Sequence, residues 1–98
     1  MDTTYTHQGV VFVWDVEKAA DNRRIHKVSF ETACEAFFDP FLRVSDASRN
    51  FEARDGLIGM DKTGHLLFVV HIEQEEESIR IISARKATSK ERKFYENV

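Results

Sequence analysis

Ile79-Arg-Ile-Ile-Ser-Ala-Arg-Lys-Ala-Thr-Ser-Lys-Glu-Arg-Lys-Phe-Tyr95 passes from β-branched residues into a cationic tail. Ile79, Ile81 and Ile82 are stiff at χ1 and favour a strand. Strict alternation puts Ile79, Ile81, Ser83 and Arg85 on one face and Arg80, Ile82, Ala84 and Lys86 on the other. Each face is then apolar early and cationic late, so the strand is expected to begin in a core and end at a charged rim. Thr88 and Glu91 stand at capping-box spacing. A short basic helix should follow, anchored by Phe94 and Tyr95.

Charge is unevenly spread. Residues 1–79 carry eight Lys and Arg against fifteen Asp and Glu, whereas residues 80–98 carry six against two. A positive end on an acidic chain points to a local site for a polyanion. The overall charge of -3 argues against general nucleic-acid coating. At 98 residues and 42% hydrophobic, the chain is expected to form one domain with one core. No apolar run approaches the roughly 20 residues of a membrane helix. Met1–Gln8 is polar, reads as a loosely ordered leader and does not resemble a signal peptide. Cys34 is the one cysteine and is expected to be a buried small side chain. These features suit a cytoplasmic protein that contacts no membrane.

Working back along the chain, Val10–Trp14 is a strand. Asp15 ends it and can cap a helix over Val16–His26. Cations and a histidine at that helix's C-terminal half suit its dipole. Ser29 caps a second helix from Phe30 to about Phe38, with Phe30, Ala33, Cys34 and Phe37 at helical spacing. Asp39-Pro40 stops it. Phe41–Glu52 reads as loop, Arg54–Met60 as a short strand and Asp61–Gly64 as a turn. His65–Glu73 is apolar on both faces and should be central in the sheet. The expected fold is α+β, ordered β-α-α-β-β-β-α, with an antiparallel meander packed by helices.

The four histidines lack the spacing of a helical zinc site and have no cysteine partner, so neither a metal nor another cofactor is expected. Metal-free RNA cleavage is compatible with what is present. Attack of a ribose 2′-OH on its own phosphate needs proton transfer at two oxygens and fixed cations at the phosphate. Histidine suits either proton role. Arginine offers two parallel donors to phosphate. The candidates are His26, His71, Arg80, Arg85 and Tyr95 for catalysis, with Arg54, Lys86, Lys90 and Lys93 holding RNA.

Several further segments fit one pattern. Phe12-Val-Trp-Asp15, Asn22-Arg-Arg-Ile-His26, Val28-Ser-Phe-Glu31 and Phe38-Asp-Pro40 lie in the first half. Leu66-Leu-Phe-Val-Val-His71, Ile79-Arg-Ile-Ile-Ser-Ala-Arg85, Ala87-Thr88, Glu91 and Tyr95 lie in the second. From Val11 to Glu96 the sequence resembles the BrnT toxins. The resemblance implies a fold similar to RelE-type ribonucleases and a type II toxin–antitoxin system. It implies a toxin that cuts RNA and arrests growth. It also implies a ribbon-helix-helix antitoxin that neutralises the toxin and carries the complex to operator DNA. Three departures stand out. Lys27 replaces the family's usual glycine after the histidine, Val44–Phe51 lacks the usual loop pattern, and Gly56-Leu57 replaces a large aromatic-aliphatic pair. The alternative is a non-catalytic or attenuated homologue that serves mainly as a binding partner and co-repressor with its antitoxin.

Overall fold

The computed structural model describes residues 1–97. The strands are β1 (Asp2–His7), β2 (Val10–Asp15), β3 (Arg43–Asp46), β4 (Asp55–Met60), β5 (Leu66–Glu73) and β6 (Ser78–Lys86). The helices are α1 (Val16–His26), α2 (Phe30–Glu35) and α3 (Ser89–Glu96), with 3₁₀ turns over Ala36–Phe38 and Glu75–Glu77. The strands form one sheet in the order β1-β2-β6-β5-β4-β3. Among the described residues only β2 and β6 pair in parallel, through Val11–Val13 against Ser78–Arg80. The small α+β fold expected from the sequence is present, and β5 and β6 occupy its centre.

Two stretches fold differently from expectation. Residues 2–7 are not a leader but an edge strand, paired with β2 along its full length. Thr and Tyr favour extended backbone there. Gln8 and Gly9 both have positive φ (49° and 80°), as a two-residue hairpin turn requires. Residues 43–46, inside the expected loop, form β3 against β4. That hairpin turns tightly at Asn50-Phe51, again with both φ values positive.

The side-chain alternation in β6 also departs from expectation. His71 lies opposite Ile81, but Val70 lies opposite Ser83, so Ile82 is an extra residue, a β-bulge. A bulge reverses the phase of every residue beyond it. Ile81 and Ala84 therefore both face the core, while Arg80, Ser83 and Arg85 share the opposite face.

The core lies between the sheet and α1 and α2. Phe12, Trp14, Leu57, Leu67, Val69, Ile81 and Ala84 from the strands meet Phe30, Ala33, Cys34 and Ala36. Gly59 lets the 3₁₀ turn sit against β4, because a Cβ there would lie 2.5 Å from the Ala36 carbonyl oxygen. Helix α3 packs against β4 on the other face. Its Phe94 lies under the Arg43 guanidinium, and Arg43 is directly opposite Ile58 on that face.

Asn22 ties α1 to the sheet. β6 outruns β2, which leaves the edge of Ala84 that faces away from β5 without a strand beside it. Asn22, 6% exposed, supplies the missing partner. Its Nδ2 donates to the Ala84 carbonyl (2.8 Å), and its Oδ1 accepts from the Ala84 N–H (3.1 Å). Nδ2 also donates to the Val28 carbonyl (3.0 Å). Asn22→Ala should cost about 3 kcal/mol, because three buried backbone groups lose their partner; urea unfolding measures it. Lys27 caps α1 in the left-handed region (φ 62°, ψ 24°). Lys27→Gly should therefore stabilise the fold by about 1 kcal/mol in the same assay.

Candidate active site

The face of the sheet opposite α1 and α2 is only partly covered by α3. The open part is a cleft of about 550 Å³. Its floor is Phe68 and Val70 of β5 with Ser83 and Arg85 of β6. Its walls are the β3–β4 hairpin, carrying Arg49 and Arg54, and the C-terminal end of α1, carrying His26.

Arg85 is held by two partners. Its guanidinium lies 4.5 Å above the centre of the Phe68 ring. Nη1 and Nη2 donate to the two carboxylate oxygens of Glu91 at 2.7 and 2.9 Å. Glu91 is itself fixed by the capping box, in which its Oε1 accepts the Thr88 N–H (2.8 Å). The Arg85 bonds, opposed by partial burial and aided by Thr88, hold the Glu91 carboxyl below its usual range. The same bonds raise Arg85 above its ordinary value. Gly56 leaves room for this stack, since a Cβ there would come 2.7 Å from Phe68 Cζ.

Arg54 faces Arg85 across the cleft. Its Nη2 donates to Glu52 at 2.7 Å, while its Nε is buried without a hydrogen-bond partner among the described residues. His26 is exposed at the end of α1. Phe51 projects fully exposed from the hairpin tip, two residues beyond Arg49.

The structure thus brings Arg85, Arg54 and His26 together and places the other sequence candidates elsewhere. Arg80 shares the open face but is paired with Asp2 of β1. It stands five residues before Arg85, roughly 15 Å along the strand, and does not line the cleft. His71 is on the helix face, 3% exposed, with its ring 4.8 Å from that of Phe37. Burial lowers its pKa, so it is a neutral core histidine. Tyr95 Oη donates to Asp39 at 2.6 Å. Burial, with that carboxylate, pushes its phenol up to about 12. Tyr95 therefore anchors α3 and does not meet the cleft. Lys90 and Lys93 are exposed on α3, and Lys86 points to the helix side of the sheet. Cys34 is buried, and burial pushes its thiol up to about 12. No group of three His, Cys, Asp or Glu side chains among the described residues is placed to hold a metal.

Phe68 and Arg49 were not legible as site residues. Phe68 becomes one only because the β5–β6 register sets it opposite Arg85. Glu91, readable as a helix cap, also orients the cleft's central cation.

The fold and cleft define a small α+β protein with a preset arginine, a second arginine and a histidine on one open sheet face. Residues 14–91 match the family model described as the ribonuclease toxin BrnT of type II toxin–antitoxin systems. The chain belongs to that family, whose description implies an antitoxin partner. The match spans His26, Arg54, Arg85 and Glu91 and leaves β1 and Tyr95 outside. No curated protein matches the chain. No helix among the described residues is long and apolar enough to cross a membrane.

Because the folded Glu91 carboxyl titrates below its ordinary value, its pairing with Arg85 stabilises the protein above the unfolded carboxylate range. That contribution is lost as pH falls through the folded value. Glu91→Gln should therefore lower the melting temperature at pH 7 and have much less effect at pH 3, as calorimetry at the two pH values measures.

Proposed function

We propose that the chain is a metal-independent endoribonuclease toxin that arrests growth in the cytoplasm and is neutralised by a ribbon-helix-helix antitoxin. The observation that carries this reading is the convergence of Arg85, Arg54 and His26 on one cleft in a chain of this family.

The chemistry follows from those groups. The ribose 2′ oxygen bonds to the adjacent phosphorus as the bond from phosphorus to the 5′ oxygen breaks. One proton leaves the 2′ oxygen and one arrives at the 5′ oxygen. The products are a 2′,3′-cyclic phosphate and a free 5′-hydroxyl. Arg85, already oriented by Glu91 and Phe68, needs little reorganisation to meet the charge that builds on the phosphate. Arg54, in the cleft wall, adds a second positive charge beside it. His26, the one imidazole in the described cleft lining, exchanges one of the two protons, and water exchanges the other. Glu91 is a positioning residue, engaged with Arg85 and the α3 cap. Arg80 and His71 take no part in the step. An antitoxin that covers the cleft would silence it and carry the complex to operator DNA.

The test is cleavage of a defined RNA by purified protein in EDTA, with and without ribosomes. Wild type should yield cyclic-phosphate ends. Arg85→Ala should lose about 10²–10³ in rate, the usual cost of removing a preset transition-state donor. Arg80→Ala should retain cleavage. His26→Ala should slow cleavage by about 10²-fold, the usual share of a general acid or base. Folded protein that leaves RNA intact under both conditions would replace this reading with that of a non-catalytic co-repressor.

A further inference from the structure

Cations also gather on the opposite side of the sheet. Arg23, Lys27, Lys62 and Lys86 line a groove of about 590 Å³ on the helix face, at the same end of β6 as the cleft. Among the described residues none of the four is in an ion pair. Lys27 Nζ donates to the Arg24 carbonyl at 2.9 Å, a bond that leaves its charge unopposed. The two acids in the groove wall, Glu35 and Asp61, keep their charge, so the lining holds four cations against two carboxylates. Glu35 accepts the Lys62 N–H at 3.0 Å. Asp61 accepts from the Thr63 N–H, the Thr63 hydroxyl and the His65 N–H, each at 2.9 Å.

Groove and cleft are two sides of one ridge. Three consecutive residue pairs straddle it in the same way. His26, Phe68 and Arg85 line the cleft, while their chain neighbours Lys27, Leu67 and Lys86 line the groove. Leu67 lies opposite Lys86 and Phe68 opposite Arg85. The ridge is therefore the end of the β5–β6 ladder, with the C-terminus of α1 beside it. Successive side chains leave opposite faces of the sheet, so a flexible polymer passes from cleft to groove around the end of the β5–β6 ladder.

We propose that this groove is a second binding site, for the sugar-phosphate backbone of single-stranded RNA that extends beyond the nucleotide in the cleft. The proposal rests on the ribonuclease reading and adds to it where the flanking strand lies. Unpaired lysines and an arginine along a groove suit a row of phosphates, which carry charge but no sequence. The site also accounts for Lys27. A lysine in the left-handed region costs stability that glycine would not, and what it gains is a cation in the groove.

The test is fluorescence anisotropy with 2′-O-methyl oligouridylates, which bind but cannot be cut by 2′ attack. Three-nucleotide and twelve-nucleotide probes are titrated over a salt series. Arg85→Ala should weaken both probes. Lys62→Ala/Lys86→Ala should weaken mainly the longer one. It should also reduce the slope of log affinity against log salt by about 1.4, from roughly 0.7 per phosphate contact. Lys27→Gly should reduce that slope by about 0.7 while melting at a higher temperature than wild type, a loss that unfolding cannot produce. If both groove variants keep the wild-type slope and length dependence while Arg85→Ala weakens binding, the groove proposal is overturned and the cleft survives. The groove would then suit another polyanion, such as an acidic protein segment. If wild type binds neither probe, both readings fall together.

Discussion

A single carboxamide, that of Asn22, settles how the parts of this molecule can be arranged. β2 accompanies β6 only from Ser78 to Arg80; beyond that point β6 runs on with one edge bare. A buried N–H and C=O without partners would each cost about as much as a lost hydrogen bond. Asn22 meets both Ala84 groups with one side chain, as a neighbouring strand would, and uses its remaining donor on Val28. This locks α1 in the place of a strand, alongside β6 and not merely above it. His26, one turn further on, is thereby brought to the end of β6, where Arg85 emerges.

The bulge at Ile82 is the second requirement. β6 must bury isoleucine against the helices at one end and present arginine to the open face at the other. A regular strand of this sequence would turn Arg85 toward the same side as Ile81, into the core layer. One extra residue reverses the phase, so Ile81 and Ala84 stay buried while Arg85 lies over Phe68. The chain then turns at Thr88, and the capping box that starts α3 delivers Glu91 to the same guanidinium. Secondary structure, helix cap and site orientation thus share one set of hydrogen bonds. The cation is fixed before any ligand arrives.

Some locally unfavourable features lie near the cleft. Lys27, Asn50 and Phe51 occupy the left-handed region without being glycine, and Arg54 Nε is buried without a partner. Each costs stability, and such costs persist where the surrounding structure enforces them. The opposite end of the sheet has left-handed residues of its own, Gln8, Glu76 and Glu77, in its turns. Its arginine, Arg80, is satisfied by Asp2, and its histidine, His71, is sealed against Phe37. That contrast separates residues that chemistry can use from those that hold the fold.

The sequence by itself determined what depends on near neighbours: the presence of α1, α2, β5 and β6, the caps at Asp15, Ser29 and Thr88, and the cationic C-terminal end. Family membership was legible too, because the order and spacing of its motifs survive without knowledge of the fold. Gln8-Gly9 carried a hairpin signal, but the polarity of residues 2–7 obscured it, because an edge strand has little apolar surface to bury. Tertiary structure alone decided which side chains meet. Strand register cannot be counted from one strand, so the bulge that turns Arg85 outward and the pairing that sets Phe68 beneath it were invisible. Asn22 was equally hidden, since its partner is 62 residues away. Arg80 and His71 resemble Arg85 and His26 in type. What separates them is place: His71 is buried against Phe37 and Arg80 lies outside the cleft, and both are fixed only once the sheet has formed.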